Sequence, residues 1–492
     1  MTISITMPAN MMLGGEGSRL RLKATKILMN KTLRKILIIV CWIALWALIA
    51  LAVGTPVVLA NPLEVVVAWG QALATPAFWM SIAVTFAHIV VGALIGCVAG
   101  CVLAAGGFRW PLFAEIFQPA VQFIKSAPLV CFVVLLLVWV GSSSVDTVAV
   151  AFALLPTFYF STLQGLHQID VGRVQLCDVM GIAGMRRVRL LVLPAVRPFF
   201  LQAAKTASGL AWKSGVTAEL IGLTGSSIGA AVYASKLTLD TASLLMWMIV
   251  TVLLGWLSEK ALVKLIGAAS ARNASRAARS CAPSHHGCKS VLPLEAQGIA
   301  KSFETPLFAD VSLSLQNGSR LCIMAPTGSG KTTLVEILLG LEKPDAGQVR
   351  AAGAPLADVL HAGVVFQDSR FFPELTAWQN AALATRRSEG EVRAMLGRLI
   401  QADYMDVYPD QLSGGMKRCV DICRALLMDS EVVVLDEPFA GLDEHTKELA
   451  IRLIQDEIQG RALVLTTHVK QDALALECQV VRLGNAVDAE LG

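Results

Sequence analysis

Almost all of the apolar excess of this 492-residue sequence lies before residue 267, in long runs interrupted by few charges. The first run, Ile36–Ala60, is about 25 residues long, enough to cross a bilayer and too long for the apolar region of a secretory signal peptide. Only 16% of all residues are charged, against roughly 25% in a typical soluble protein. After residue 267 the sequence reads as an ordinary soluble α/β protein. A secreted disulfide scaffold, a disordered regulator and a collagen-like fibre are excluded. What remains is a protein of the lipid bilayer with a soluble domain attached.

Six spans fit the hydropathy, near 36–60, 78–106, 112–140, 147–166, 196–222 and 243–266. The basic segment 1–35 carries Arg19, Arg21, Lys23, Lys26, Lys31, Arg34 and Lys35 against Glu16, which favours its retention in the cytoplasm. The expected outside segments 61–77, 141–146 and 223–242 contain a single basic residue, Lys236. The inside segment 167–195 contains Arg173, Arg186, Arg187 and Arg189. This asymmetry threads a multi-pass chain whose N-terminus and soluble domain both face the cytoplasm. The overall charge of +4 gives no reason to expect a nucleic-acid partner.

Gly92, Gly96 and Gly100 repeat at four-residue intervals in the second expected span, as close packing of membrane helices requires. Lys125 and Pro128 interrupt the third. Lys125, together with Lys205, Lys213 and Glu219 of the fifth, either lines a path through the membrane or forms structural pairs between helices. Residues 267–290 are rich in small residues and arginine and read as a flexible linker. Cys281, His285, His286 and Cys288 within it fit no common metal-site spacing.

From residue 291 the period changes. The apolar run Arg320–Met324 leads into Ala325-Pro326-Thr327-Gly328-Ser329-Gly330-Lys331-Thr332-Thr333 and then a helical pattern. A strand, a glycine-rich loop and a helix N-terminus in that order aim backbone N–H groups at a phosphate chain. In such a loop Lys331 neutralises the β- and γ-phosphates and Thr332 ligates Mg2+. Ordered landmarks follow: Gln367 after Gly363–Phe366, Leu412-Ser413-Gly414-Gly415 before a helical stretch, Asp436-Glu437 ending an apolar strand, and His468 ending another.

Taken together, about 293–485 of the expected soluble domain 291–492 resembles the ATP-binding cassette ATPase. The inside segment of the membrane half supports the same family. Gln175-Leu176-Cys177, Gly181 and Leu193-Pro194 keep the spacing of the cytoplasmic loop of binding-protein-dependent permeases, without that loop's usual glutamate. Gln118-Pro119, Lys125–Pro128, Val138–Gly141 and Ala211–Glu219 resemble permeases of the nitrate, taurine and aliphatic-sulfonate group.

The resemblance implies an all-α polytopic membrane domain over 36–266, followed by an α/β P-loop nucleotide-binding domain. It implies ATP and Mg2+ as ligands. Phe303 then stacks on adenine rather than packing in a core. Thr327, Gly328, Ser329, Gly330, Lys331, Thr332 and Thr333 hold the phosphates, while Thr332, Gln367 and Asp436 hold the metal. Glu437 polarises water, His468 contacts the γ-phosphate, and Ser413, Gly414 and Gly415 serve the nucleotide bound by a second copy. Because that signature acts in trans, a homodimer is expected, fed by a separate extracytoplasmic solute-binding protein. The expected activity is ATP-driven import across the cytoplasmic membrane of a small anion, such as a sulfonate or nitrate. An exporter and an ATP-switched regulatory membrane protein are the alternatives. Ala325, Cys419 and Asp421 depart from the usual cassette pattern.

Overall fold

The computed structural model describes residues 16–279, 291–303, 305–326, 328–356 and 358–483. Thr327 and the linker residues Cys281, His285, His286 and Cys288 lie outside the described residues. The chain forms two compact units. One comprises residues up to 103, 112–159 and 204–261; the other comprises 104–111, 160–203 and 262 onward.

The membrane half is helical throughout: α1 (Glu16–Val53), α2 (Pro62–Leu73), α3 (Pro76–Arg109), α4 (Pro111–Ser126), α5 (Leu129–Val140), α6 (Val145–His167), α7 (Val171–Val179), α8 (Gly184–Arg187), α9 (Leu193–Gly222), α10 (Ile228–Leu237) and α11 (Thr241–Arg279). Helix α1 stops at Val53 rather than residue 60, because Gly54 turns the backbone left-handed (φ +70°) and Pro56 follows. The expected third span is two helices, α4 and α5, bent by 109° at Ala127–Pro128. Among the described residues, four helices are long and apolar enough to cross a membrane, against the six spans expected, and the bent pair α4–α5 is either a broken fifth span or a re-entrant loop. Helix α9, at 30 residues, is long enough but carries Arg197, Lys205, Lys213 and Glu219.

The linker expectation needs correction, because α11 continues to Arg279. Residues 268–279 include six alanines and three arginines, both strong helix formers, so the first half of the expected flexible linker is helical.

The glycine stripe does what its spacing predicts. A Cβ on Gly96 would lie 2.5 Å from the carbonyl oxygen of Ala151, and one on Gly100 2.7 Å from that of Leu155. Gly92 meets the carbonyl of Thr147 in the same way. The contacts at 147, 151 and 155 repeat the four-residue step on α6, so α3 and α6 pack backbone to backbone.

The soluble half continues with β1 (Leu294–Ser302), β2 (Pro306–Leu315), β3 (Arg320–Met324), β4 (Ala346–Ala351), β5 (Ala354–Pro355), β6 (Gly363–Val365), β7 (Val432–Asp436), β8 (Ala462–Thr467) and β9 (Gln479–Arg482). Its helices are α12 (Lys331–Leu338), α13 (Ala377–Ala381), α14 (Glu389–Leu396), α15 (Gly414–Leu427), α16 (Glu444–Ile458) and α17 (Lys470–Ala475). An antiparallel sheet runs β2-β1-β4-β5, and a parallel sheet runs β6-β7-β8-β3-β9. Strands β7 and β8 are buried on both faces, as a parallel sheet covered by helices requires.

Replacing Gly96 with alanine should force α3 and α6 apart and destabilise the membrane unit by about 1–3 kcal/mol. Thermal unfolding of the purified protein in detergent checks this, with Gly70→Ala as control because no atom lies within 4 Å of a Cβ there.

Candidate nucleotide site and its docking segment

The carboxyl edge of the parallel sheet collects the expected groups, as open α/β sheets do. Strand β3 ends at Met324, and the loop that follows turns through Gly328 (φ +85°) and Gly330 (φ +87°) into α12. A Cβ on Gly330 would also lie 2.9 Å from the Phe308 ring. Lys331 is buried, and its ammonium curls back to the carbonyls of Ala325 (2.8 Å) and Pro326 (3.1 Å). Ala325, which stands where the family has glycine, supplies one of those carbonyls without strain. Ser329 closes the loop by donating to Pro326 O at 2.7 Å. Thr333 lies in the first turn of α12.

Thr332 Oγ1 lies 2.8 Å from Asp436 Oδ2 and 3.0 Å from Gln367 Oε1. Three oxygen donors from α12, β7 and the segment after β6 thus converge, a donor set suited to Mg2+. Burial pushes the Asp436 carboxyl above its ordinary pKa, and Glu437 beside it acts in the same direction. Hydrogen bonds from Thr466 and Thr332 oppose that shift. A hard cation between Thr332, Asp436 and Gln367 offsets the same desolvation, so the residues fit the metal.

Glu437 adopts a left-handed backbone (φ +45°), a strained conformation for a side-chain-bearing residue. Its N–H donates to the carbonyl and the hydroxyl of Thr466 on β8, 3.1 Å each, and these bonds hold the turn. One of its carboxylate oxygens lies 3.7 Å from Lys331 Nζ and 3.9 Å from His468 Nδ1. Lys331, Thr332, Gln367, Asp436, Glu437 and His468 therefore form one constellation.

Phe303 stands apart from the core at 64% exposure, with Lys301 Nζ 5.3 Å from its ring centroid. This excludes core packing, and Lys301 covers one face of the ring. Ser413 caps α15 by accepting from the Met416 N–H, and Gly414 is exposed beside it. Among the described residues, no hydrogen bond joins Ser413, Gly414 or Gly415 to the phosphate loop of the same chain. Instead, a Cβ on Gly415 would abut Gly441 O.

Sequence reasoning missed the bracing of α15. Asp421 is fully buried, with one oxygen 2.6 Å from Arg424 and the other 2.5 Å from Ser369. Arg418 donates to the carbonyls of Phe366 and Gln367, and Arg424 to that of Arg370. The segment carrying Gln367 is thus tied to the signature helix. Cys419 packs in the apolar core, where burial pushes its thiol up to about 12 and keeps it inert.

The segment between α6 and α9 shares the apolar core of this unit. Leu176, Cys177, Val179, Met180, Ile182, Leu190 and Leu191 belong to one buried cluster with Leu338, Phe372 and Leu375. Gly181 (φ +64°) makes the turn between α7 and α8, and a π-helical stretch, Val188–Val192, leads into α9. Arg186 donates to the carbonyl of Leu383, and Arg187 pairs with Asp178. A Cβ on Gly172 would lie 3.2 Å from Arg370 Nε, three residues after Gln367.

Residues 92–267 match the family of binding-protein-dependent transport system inner membrane components, and residues 308–440 match the ABC transporter family. A sulfate/thiosulfate import ATP-binding protein of Bordetella bronchiseptica is 38% identical over 39% of this chain and 59% of its own length. A probable sulfate/thiosulfate import ATP-binding protein of Chlorella vulgaris is 34% identical over 40% of this chain and 89% of its own. A spermidine/putrescine import ATP-binding protein of Protochlamydia amoebophila is 35% identical over 37% of this chain and 52% of its own. The chain thus spans 59% and 52% of the length of the Bordetella and Protochlamydia relatives. With a permease component and a nucleotide-binding cassette in one polypeptide, the chain belongs to the ATP-binding cassette transporter family.

Proposed function

We propose that this chain is a half-transporter that pairs with a second copy of itself and uses ATP to import a small solute across the cytoplasmic membrane. The observation that carries the reading is the apolar docking of 171–192, a segment between two membrane helices, into the core of the cassette. Such a segment transmits movement of the cassette to the helices that flank it.

At the nucleotide site Lys331 and the N–H groups around Gly328–Thr333 bind the phosphates, with Thr327 in the same loop. Phe303 offers its other face to adenine. Thr332, Asp436 and Gln367 would hold Mg2+, which would neutralise phosphate charge. Glu437 orients the attacking water and accepts its proton, while His468 reaches the γ-phosphate. Ser413 and Gly414, both exposed, and the half-buried Gly415 serve the nucleotide of the partner copy, and this makes the dimer obligatory for turnover.

The membrane unit contains a cavity of about 840 Å3 between α9, α10 and α11, lined by Lys205, Lys213, Trp212, Trp247, Trp256 and Glu259 among others. Trp212 is fixed by a hydrogen bond to Ser258 at 3.1 Å. Two lysines against one carboxylate favour a small anion in that cavity, in keeping with the sulfonate or nitrate reading. The cassette relatives are named for importing sulfate/thiosulfate and spermidine/putrescine, of opposite charge, so likeness of the cassette does not select the solute. Delivery falls to a separate extracytoplasmic binding protein.

Glu437→Gln should retain ATP binding and lose about 100-fold or more of hydrolysis, the usual contribution of a general base. Nucleotide binding and phosphate release, measured on the same preparation, check it; turnover near wild type removes Glu437 from that role. Gly172→Leu should displace Arg370 and uncouple the halves. Proteoliposomes should then hydrolyse ATP but lose stimulation by the loaded binding protein. Unchanged stimulation would contradict transmission through this segment.

A further inference from the structure

Three helices of the membrane unit bring ionisable side chains to one point that the transport reading does not use. His88 of α3 and Asp146 in the first turn of α6 meet with Nδ1 2.5 Å from Oδ2. Glu219 of α9 completes the group: one ligand atom from each of the three lies within 4.8 Å of the others. Asp146 is 1% exposed and Glu219 fully buried. Lys205 and Lys213 line the cavity between α9, α10 and α11, and Glu219 is not among its lining residues, so these residues do not share one path.

Glu219 is held from several sides. Its Oε2 accepts from Thr85 Oγ1 and from the N–H of Gly229, each at 3.0 Å. Thr85 in turn accepts from the N–H of Ile228, so the start of α10 is locked to α3 through this carboxylate. Gly229 has no room for a Cβ against Glu219, which is how its N–H comes so close. The second oxygen, Oε1, is buried and has no hydrogen-bond partner among the described residues. A buried carboxylate with one oxygen fully engaged and the other unmatched is costly within a membrane unit unless a cation or proton meets it.

We propose that His88, Asp146 and Glu219 form a binding site for a divalent cation of the zinc class, which clamps α3, α6 and α9 together. One imidazole nitrogen and two carboxylate oxygens form the mixed donor set that suits Zn2+ and its transition-series neighbours rather than Mg2+ or Ca2+. With both carboxylates ionised and the imidazole neutral, the cation exactly balances the two negative charges. Metal–ligand bonds of about 2.0–2.2 Å place ligand atoms roughly 3.4 Å apart. The His88–Asp146 contact at 2.5 Å therefore opens, and a carboxylate oxygen of Glu219, within 4.8 Å, closes in. Where Nδ1 is the ligating atom, the single proton of the neutral imidazole sits on Nε2.

The test uses the full chain in lipid nanodiscs, stripped with chelator and then titrated with Zn2+ or Co2+. One ion per chain should be retained after washing, and bound Co2+ should show the visible bands of a low-coordinate site with imidazole ligation. Zn2+ should also raise the thermal midpoint. His88→Ala and Glu219→Gln should each weaken binding at least tenfold and abolish the midpoint shift. A chain carrying Cys281→Ser, His285→Ala, His286→Ala and Cys288→Ser should bind as wild type does. The proposal is overturned by a wild-type chain that retains no stoichiometric ion, which leaves a proton as the occupant. It is equally overturned by binding that survives Glu219→Gln, or that disappears with the linker substitutions. The Co2+ spectrum of the wild type decides the matter even where a variant fails to fold.

Discussion

The burial of residues 176–191 in the core of the cassette is the interaction on which the proposed coupling depends. Leu176, Met180, Leu190 and Leu191 are each under 5% exposed, in the same apolar cluster as the helix that follows the phosphate loop. Full burial of such a side chain is worth about 1.5–3 kcal/mol. The polar contacts of the segment are weaker: the Arg187–Asp178 pair is about one-third exposed, and pairs in that setting contribute roughly 0–1 kcal/mol. Apolar packing decides the docking, and Leu176 and Cys177 of the Gln175-Leu176-Cys177 triplet are themselves part of that packed core.

From the docking segment a short physical chain leads to the phosphates. Gly172 abuts Arg370; Arg370 lies three residues from Gln367; Gln367 reaches Thr332 at 3.0 Å. The same stretch is braced from the other side by Arg418 and Arg424 of α15, whose N-terminus carries the signature residues. The stretch 366–370 thus borders the phosphate loop, the signature helix and the membrane-derived segment at once. The carbonyls of Phe366, Gln367 and Arg370 are all held by buried guanidinium groups, which is the contiguous packing that the proposed transmission requires.

What the sequence made legible is what local spacing encodes. Strand β3 falls on Arg320–Met324, and α12 begins two residues before the helical pattern suggests because Gly330 at φ +87° already caps it. The glycine stripe of α3 was readable because its partner offers the same four-residue step. The break at Pro128 was visible, but the size of the bend was not, since a proline says where a helix stops and nothing of where the next one points. Bonds between distant residues stayed hidden. Asp421 finds Ser369 52 positions away, and Glu219 finds Thr85 134 positions away, so neither shows as a motif.

Those two buried carboxylates separate a structural charge from a binding group. Asp421 has both oxygens engaged, one by a guanidinium and one by a hydroxyl, and its charge is matched by Arg424 three residues on. Removing a partner there would leave an uncompensated charge, which makes the pair rigid and closed to ligands. Glu219 has one oxygen engaged twice and the other not at all, and its nearest ionisable neighbours are a histidine and a second carboxylate. Among the described residues, no lysine or arginine pairs with it. The difference lies in how far the chain satisfies its own polar atoms: where it does so the charge is architecture, and where it leaves an oriented oxygen unmatched beside an imidazole, a cation completes the structure.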